Sequence, residues 1–317
     1  MVRPHFMVNV LHKIWRRRRK KLSYGCKKLE ATELRVSIIQ MRVADGDVQA
    51  NIARGLKFIK EAAEGSDFVV LPELWTTGYD FNAIMEYAEG EGKGWSNELL
   101  SSIAEEYGVY IISSAPLKED GKLYDAAFLI GPDGTIGTYR KIHLFRPYGE
   151  DKMFMAGNEL GYFNTSFGGV GIAICYDLRF PELFRLLAMK GAKVIFVPAS
   201  WGAPRALQWR TLLRARAAEN QVFMVGANKV GKSEVTGEHY SGNSAVYDPF
   251  GFELMHSEES EQVLTVNVDL RTVDKIREYL PIWHDRRTDL YGIGSAWGVG
   301  DPGWGKRAAG TSRIEPT

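Results

Sequence analysis

Three side chains of this 317-residue sequence have both the type and the setting for chemistry: Cys175, Glu73 and Lys141. Cys175 ends the apolar run Val170-Gly171-Ile172-Ala173-Ile174, a few residues before a helix that Pro181 would start. A thiol at the carboxyl end of a strand lies where α/β folds build their sites. Amides at the following helix start favour a thiolate and can donate to a developing oxyanion. The competing reading is a buried, inert cysteine. Glu73 closes Phe68-Val69-Val70-Leu71-Pro72-Glu73, so a carboxylate stands at the end of a second buried strand. There it could take a proton from a thiol and later hand one to a leaving amine; an ordinary loop or capping glutamate is the alternative. Lys141, in Tyr139-Arg140-Lys141-Ile142-His143, ends a third strand. An ammonium at a buried mouth stabilises an oxyanion or holds a thiolate–carboxylate pair charged, whereas a solvated basic cluster would do neither. No one of the three identifies an enzyme. Together they are the thiol, carboxylate and ammonium that acyl transfer through cysteine requires. His143, His239 and His284 offer a weaker cysteine–histidine alternative, because no strand end recommends any of them as a base.

The elements that must position these groups read as strand and helix in alternation from Leu34 onward. A strand is expected over Leu34–Met41. Asp47 is placed to cap a helix with Val48, Ile52, Leu56, Ile59 and Ala63 on one face and Gly65 at its end. Asp67–Leu71 reads as a short apolar strand and Ser96 as the start of a helix reaching Tyr107. Strands follow at Val109–Ser113, Leu123–Ile130 and Thr135–Lys141, the last two joined by Pro132-Asp133-Gly134. The second half repeats the pattern: strand Val170–Ile174, helix Pro181–Lys190, strand Lys193–Val197, helix Ala206–Asn220, strand Val222–Ala227. Asn243–Tyr247 and Phe252–Met255 flank a hairpin signal, Val263–Asp269 is the last strand, and a final helix is expected near Thr272–Tyr279. Short buried strands separated by helices call for sheets covered on their outer faces, and the hairpins make those sheets mixed.

A formal net charge of +1 gives no whole-surface attraction for nucleic acid or membrane. The two cysteines, Cys26 and Cys175, imply no disulfide framework, so a cytoplasmic setting is expected. No apolar run approaches the roughly 20 residues of a membrane helix. Residues 1–33 read as a basic extension, disordered or from a start codon placed too far upstream. Its block Arg16-Arg17-Arg18-Arg19-Lys20-Lys21 follows an apolar stretch, the reverse of a secretory signal. That arm is the one segment with a weak role for nucleic acid or anionic lipid, and binding there would be salt-sensitive. Residues 292–317, rich in Gly and Trp, read as an irregular tail.

One motif points elsewhere. Gly226-Ala227-Asn228-Lys229-Val230-Gly231-Lys232-Ser233 satisfies the P-loop pattern. A P-loop also needs a helix starting at its lysine and serine. The following Glu234–Gly242 has no apolar helical face, so a nucleotide site is not expected.

Leu71-Pro72-Glu73-Leu74, Tyr139-Arg140-Lys141-Ile142-His143-Leu144-Phe145 and Gly171-Ile172-Ala173-Ile174-Cys175-Tyr176-Asp177-Leu178-Arg179-Phe180-Pro181-Glu182 resemble the three signature blocks of the nitrilase superfamily, in order and spacing. The resemblance covers about residues 34–291, taken as one carbon–nitrogen hydrolase domain. It implies an α/β fold, a four-layer αββα sandwich of two mixed sheets flanked by helices. It also implies Glu73 as general base, Lys141 and the Tyr176 backbone N–H as oxyanion donors, and Cys175 as the thioester-forming nucleophile. Glu150 best fits a further family glutamate that orients the lysine or positions substrate, though Asp151 is adjacent. Trp209–Gln221 and Ile276–Tyr291 are most similar to the ω-amidases, which hydrolyse ω-amides of dicarboxylic acids to the acid and ammonia. A substrate carboxylate would suit an arginine: Arg179 first, then Arg205 and Arg146. A structural ion pair, with Glu182 for example, is the alternative for Arg179. Tyr79 and Trp201 are expected to wall the pocket. A nitrilase or an N-carbamoyl amide hydrolase would use the same nucleophile. The resemblance further implies no metal or cofactor, a small-molecule amide as substrate, and a homodimer or larger homo-oligomer.

Overall fold

The structure is a computed structural model that describes residues 32–90 and 94–287. The expected basic extension and the tail after residue 291 lie outside these, apart from Thr32 and Glu33.

Two six-stranded sheets carry the fold. The first contains β1 (Glu33–Gln40), β2 (Phe68–Val70), β3 (Tyr110–Glu119), β4 (Lys122–Gly131), β5 (Gly134–Arg140) and β14 (Gln262–Asp269), in the order β14-β1-β2-β3-β4-β5. The second contains β6 (Gly161–Thr165), β7 (Gly168–Ile172), β8 (Val194–Ala199), β9 (Phe223–Asn228), β12 (Ala245–Tyr247) and β13 (Glu253–His256), in the order β13-β12-β9-β8-β7-β6. Each has a parallel centre, β1-β2-β3 or β7-β8-β9, with antiparallel neighbours on both sides. The sheets are therefore mixed, as the hairpin signals require. β10 (Val230–Lys232) and β11 (His239–Ser241) form a separate hairpin.

The period of two in a strand sorts its side chains between two cores. Phe68 and Val70 of β2 join the core between the sheets, where the Phe68 ring stacks on Phe196 of β8 at 5.1 Å. Val69, between them, faces outward to a second core with Ile59, Ile103 and Ala104. Those three belong to α1 (Val48–Ala63) and α3 (Trp95–Tyr107). On the other outer face lie α5 (Pro181–Met189) and α6 (Ala206–Asn220), with Leu183, Phe184, Leu187, Trp209 and Leu213 buried. Helix, sheet, sheet and helix are thus stacked as four layers.

The local signals worked where physics gives them one answer. Asp47 accepts a hydrogen bond from the Ala50 amide at 3.1 Å, and Gly65 takes φ +74° after the helix. The helix expected from Ser96 to Tyr107 starts one residue earlier, at Trp95. Gly94 is the N-cap of α3, and the Ser96 hydroxyl instead donates to buried Glu89. β3 runs six residues past the expected Ser113 in spite of Pro116. Its pairing with β2 ends at Ile112, so no neighbour on that side asks Pro116 for an N–H, and β4 still pairs Asp125 opposite it. The helix α2 (Phe81–Tyr87), β6 and the β10–β11 hairpin were not anticipated. The P-loop pattern leads into that hairpin rather than a helix, so no helix N-terminus is available for a phosphate there. Among the described residues no helix is long and apolar enough to cross a membrane.

Candidate active site

The parallel strands of each sheet end on one edge, and the chemistry collects there. Glu73 follows β2, Cys175 follows β7, Ser200 and Trp201 follow β8, and Lys229 follows β9. Lys141 joins them because β5 is antiparallel to β4, and β4 to β3, so β5 points the same way as β3. Two hydrogen bonds tie the sheets together at this edge. The Glu73 amide donates to Ala199 O at 3.4 Å, and Ser200 Oγ donates to Glu73 O at 3.3 Å.

The thiol, and the residue that follows Glu73, sit at unusual backbone positions. Cys175 has φ +44° and Leu74, next to Glu73, has φ +48°, conformations that L residues rarely adopt. The strain at Cys175 is held by Asp177. Its carboxylate accepts from the Ile174 amide at 2.9 Å, the His143 amide at 3.0 Å and the Tyr139 hydroxyl at 2.8 Å. This anchors the 3₁₀ turn Cys175–Arg179 to the end of β5. His143 Nδ1 also meets Asp177, at 2.8 Å, and the imidazole stacks on Phe180 at 3.6 Å.

Lys141 is the hub. Its Nζ lies 2.6 Å from Glu73, 2.8 Å from Glu150 and 3.2 Å from Asp125, all of them sealed from solvent. Three carboxyl groups converge closely enough to hold a cation, and the cation they hold is this ammonium. The Tyr79 hydroxyl bridges the two glutamates, donating at 3.2 Å to Glu73 and 3.0 Å to Glu150. The Phe145 amide donates to the second Glu150 oxygen at 2.7 Å. Glu150 thus has Lys141 as its direct partner, and Asp151 reaches outward to Arg146 at 4.0 Å. Of the two adjacent acids, it is Glu150 that touches Lys141.

Protonation follows from burial and charge. Burial works to raise the Glu73 carboxyl, but the Lys141 ammonium and hydrogen bonds from Asp125, Lys141 and Cys175 hold it below the usual range. Burial and neighbouring Glu73 push the Cys175 thiol well up, despite Lys141 and the Ser200 amide. These shifts favour a neutral thiol beside an ionised Glu73, the state from which Glu73 can act as base. Burial raises Asp125 well above its usual range and raises Glu150 as well. Lys141 is raised well above the lysine range, because Glu150, Glu73 and Asp125 outweigh its desolvation. The arrangement can move one proton from sulfur to Glu73 with an ammonium already in place for a developing oxyanion.

A cleft over Cys175 is lined by Phe145, Tyr176, Arg179, Ser200, Trp201 and Arg205. Trp201 lies in the wall as expected, with its indole N–H donating to Arg205 O at 2.8 Å. Arg179 also lies there, over the Trp201 ring at 4.7 Å, and donates to Gln208 at 2.7 Å. Arg205 is paired with Glu238 at 2.6 Å and with the Tyr148 hydroxyl at 3.0 Å. Tyr79 differs from expectation. It is buried and joined to the two glutamates rather than set in the cleft wall. Asp125 and Lys229 were missed. An aspartate inside the apolar strand Leu123–Ile130 was the available signal for the first, and the P-loop pattern obscured the second.

A family model described as carbon–nitrogen hydrolase matches residues 35–278. The chain is 35% identical over 258 residues to a 2-oxoglutaramate amidase of Bacillus subtilis (strain 168), spanning 81% of this chain and 98% of that protein. It is 36% identical over 272 residues to Omega-amidase NIT2-A of Xenopus laevis, spanning 82% and 98%. Among solved structures, a CN-hydrolase superfamily protein of Xanthomonas campestris with an arsenic adduct in its active site superposes with a TM-score of 0.75. It is 30% identical, and the match covers 80% of this chain and 97% of that one. The chain belongs to the carbon–nitrogen hydrolase family, within the nitrilase superfamily. It is a hydrolase of carbon–nitrogen bonds that acts on amides.

Proposed function

We propose that the protein is an ω-amidase that hydrolyses the terminal amide of a small dicarboxylic acid monoamide through a thioester on Cys175. The observation that carries this reading is the buried cluster in which Lys141 Nζ donates to Glu73 at 2.6 Å beside the buried Cys175 thiol. The sulfur attacks the amide carbon as its proton passes to Glu73. The tetrahedral oxygen is met by the Lys141 ammonium and the Tyr176 backbone N–H. Glu73 returns the proton to the amine, the C–N bond breaks, and ammonia leaves. A water then attacks the thioester with Glu73 again as base, giving the acid and the free thiol. Glu150 orients Lys141 throughout.

Arg179, stacked on Trp201 at the cleft, is our receptor for the remote carboxylate, with Arg205 beside it. The similarity to a 2-oxoglutaramate amidase supports this class. The mechanism needs a free thiol, which fits the cytoplasm. The working unit is a homodimer or a larger homo-oligomer, and a monomeric mass in light scattering would overturn that.

Ammonia release from ω-amides of dicarboxylic acids, simple nitriles and N-carbamoyl amino acids tests the substrate class. The ω-amides should turn over fastest, and turnover of nitriles alone would refute the reading. Mass spectrometry of enzyme trapped with substrate should find the acyl group on Cys175. Cys175→Ala should be inactive, and retained turnover would sink the mechanism.

A further inference from the structure

The mechanism leaves a buried lysine beside the site unused. Lys229, at the end of β9, is 1% exposed, and its Nζ has no hydrogen-bond partner. It sits over the faces of two tyrosines, 4.2 Å from the Tyr240 ring centroid and 5.1 Å from that of Tyr79. Aromatic faces are weak acceptors for an ammonium and do not replace a hydrogen-bonded anion. The Tyr79 ring places it one residue away from the reacting cluster, since the Tyr79 hydroxyl is bonded to both Glu73 and Glu150.

The charge in that cluster does not balance by itself. Three carboxyl groups, Glu73, Glu150 and Asp125, face the single ammonium of Lys141 at 2.6, 2.8 and 3.2 Å. Proton transfer from Cys175 to Glu73 moves the surplus negative charge onto sulfur without removing it. The anions whose fields reach Lys229 are Asp45, Glu73 and the ionised Cys175. Asp45 is engaged elsewhere, accepting from the Tyr79 amide at 2.9 Å, from the Ser233 hydroxyl and from the Val235 amide.

We propose that Lys229 is a positioning residue for the acylation step, a second buried ammonium whose field keeps Glu73 ionised and stabilises the negative charge that passes to Cys175. This rests on the thiol–carboxylate reading above, and the roles differ. Lys141 touches the base directly and faces the oxyanion. Lys229 acts from behind the Tyr79 ring and touches neither. Burial lowers its ammonium from the usual lysine range, and the three acids pull it back up.

The test replaces Lys229 by Met and by Gln, which remove the charge, and by Arg, which keeps it, in the full chain. The acid limb of kcat/KM, set by Glu73 as it faces Lys141, Asp125, Glu150, Tyr79 and Cys175, should move up by about one pH unit in the neutral variants. Alkylation of Cys175 by iodoacetamide at fixed pH should slow about tenfold in the same variants. Lys229→Arg should restore both toward the parent. An unmoved acid limb and unchanged alkylation in folded Met or Gln variants would overturn the proposal. So would loss of the fold in both neutral variants, because the lysine would then be a packing residue. If Cys175→Ala also remained active, the mechanism itself would fail. An inactive Cys175→Ala beside unshifted Lys229 variants would sink the Lys229 proposal alone.

Discussion

Lys141→Met keeps a stem of similar length and removes one ammonium from among carboxyls at 2.6, 2.8 and 3.2 Å. Breaking a buried ion pair from one side costs about 3–5 kcal/mol, since the remaining charge is left uncompensated. Burial pushes the Asp125 carboxyl well up, so the cost falls mainly on Glu73 and Glu150. At about 2–4 °C per kcal/mol for a chain of this size, the melting temperature should fall by roughly 6–20 °C near pH 7.5. The pH dependence identifies the cause. In the parent, the raised Lys141 contributes fully below the lysine value of 10.5, and this is lost only as pH rises through its higher folded value. The lowered Glu73 contributes above the carboxyl value of 4.5, and this is lost as pH falls through its depressed folded value. The parent gains from both between about pH 5 and pH 9. The variant can relieve its buried carboxylates only by taking up protons, so its deficit should shrink from pH 8 toward pH 5. Scanning calorimetry of both proteins across that range measures it. Turnover should drop about 10²–10³-fold with the oxyanion donor gone. A deficit below about 2 °C at pH 7.5, or one that is equal at pH 5, would refute the charge argument.

Glu73→Gln should lower kcat by about 10²–10⁴-fold while the melting temperature moves much less than in Lys141→Met. A variant within tenfold of the parent in steady-state ammonia release would show that another group is the base. Gly55→Ala tests the packing that carries the base. A β-carbon at Gly55 would strike the Trp75 ring, which is fully buried and fixed by its N–H to Ser113 at 2.9 Å. Such overpacking costs about 1–3 kcal/mol, and urea denaturation should show it. An unchanged midpoint would mean that the α1–Trp75 contact is looser than it stands here.

Much of the molecule was legible in the sequence because its strands are short, apolar and ended by proline, glycine or a polar residue. Val69 between Phe68 and Val70 already says that β2 is buried on both faces, and α6 was read at its observed ends, Ala206–Asn220. Glu73 and Cys175 stood out because each breaks an apolar run at its end, Lys141 because it ends a third strand, and the resemblance supplied their common purpose. The elements that escaped, such as β6 in Gly161-Tyr162-Phe163-Asn164-Thr165 and the three-residue β10 and β11, have too few residues to show a period.

What the sequence by itself determined is therefore a plan of mixed sheets covered by helices, written in local apolar patterns, and three candidate reacting groups, picked out with the help of the resemblance. Only the tertiary structure decided how those groups are charged. The raised Cys175 and Asp125, the lowered Glu73 and the unpaired Lys229 depend on the removal of water and on fields between residues as far apart in the chain as Asp45 and Lys229. Burial and distance set those fields, and neither exists until the two sheets close on each other.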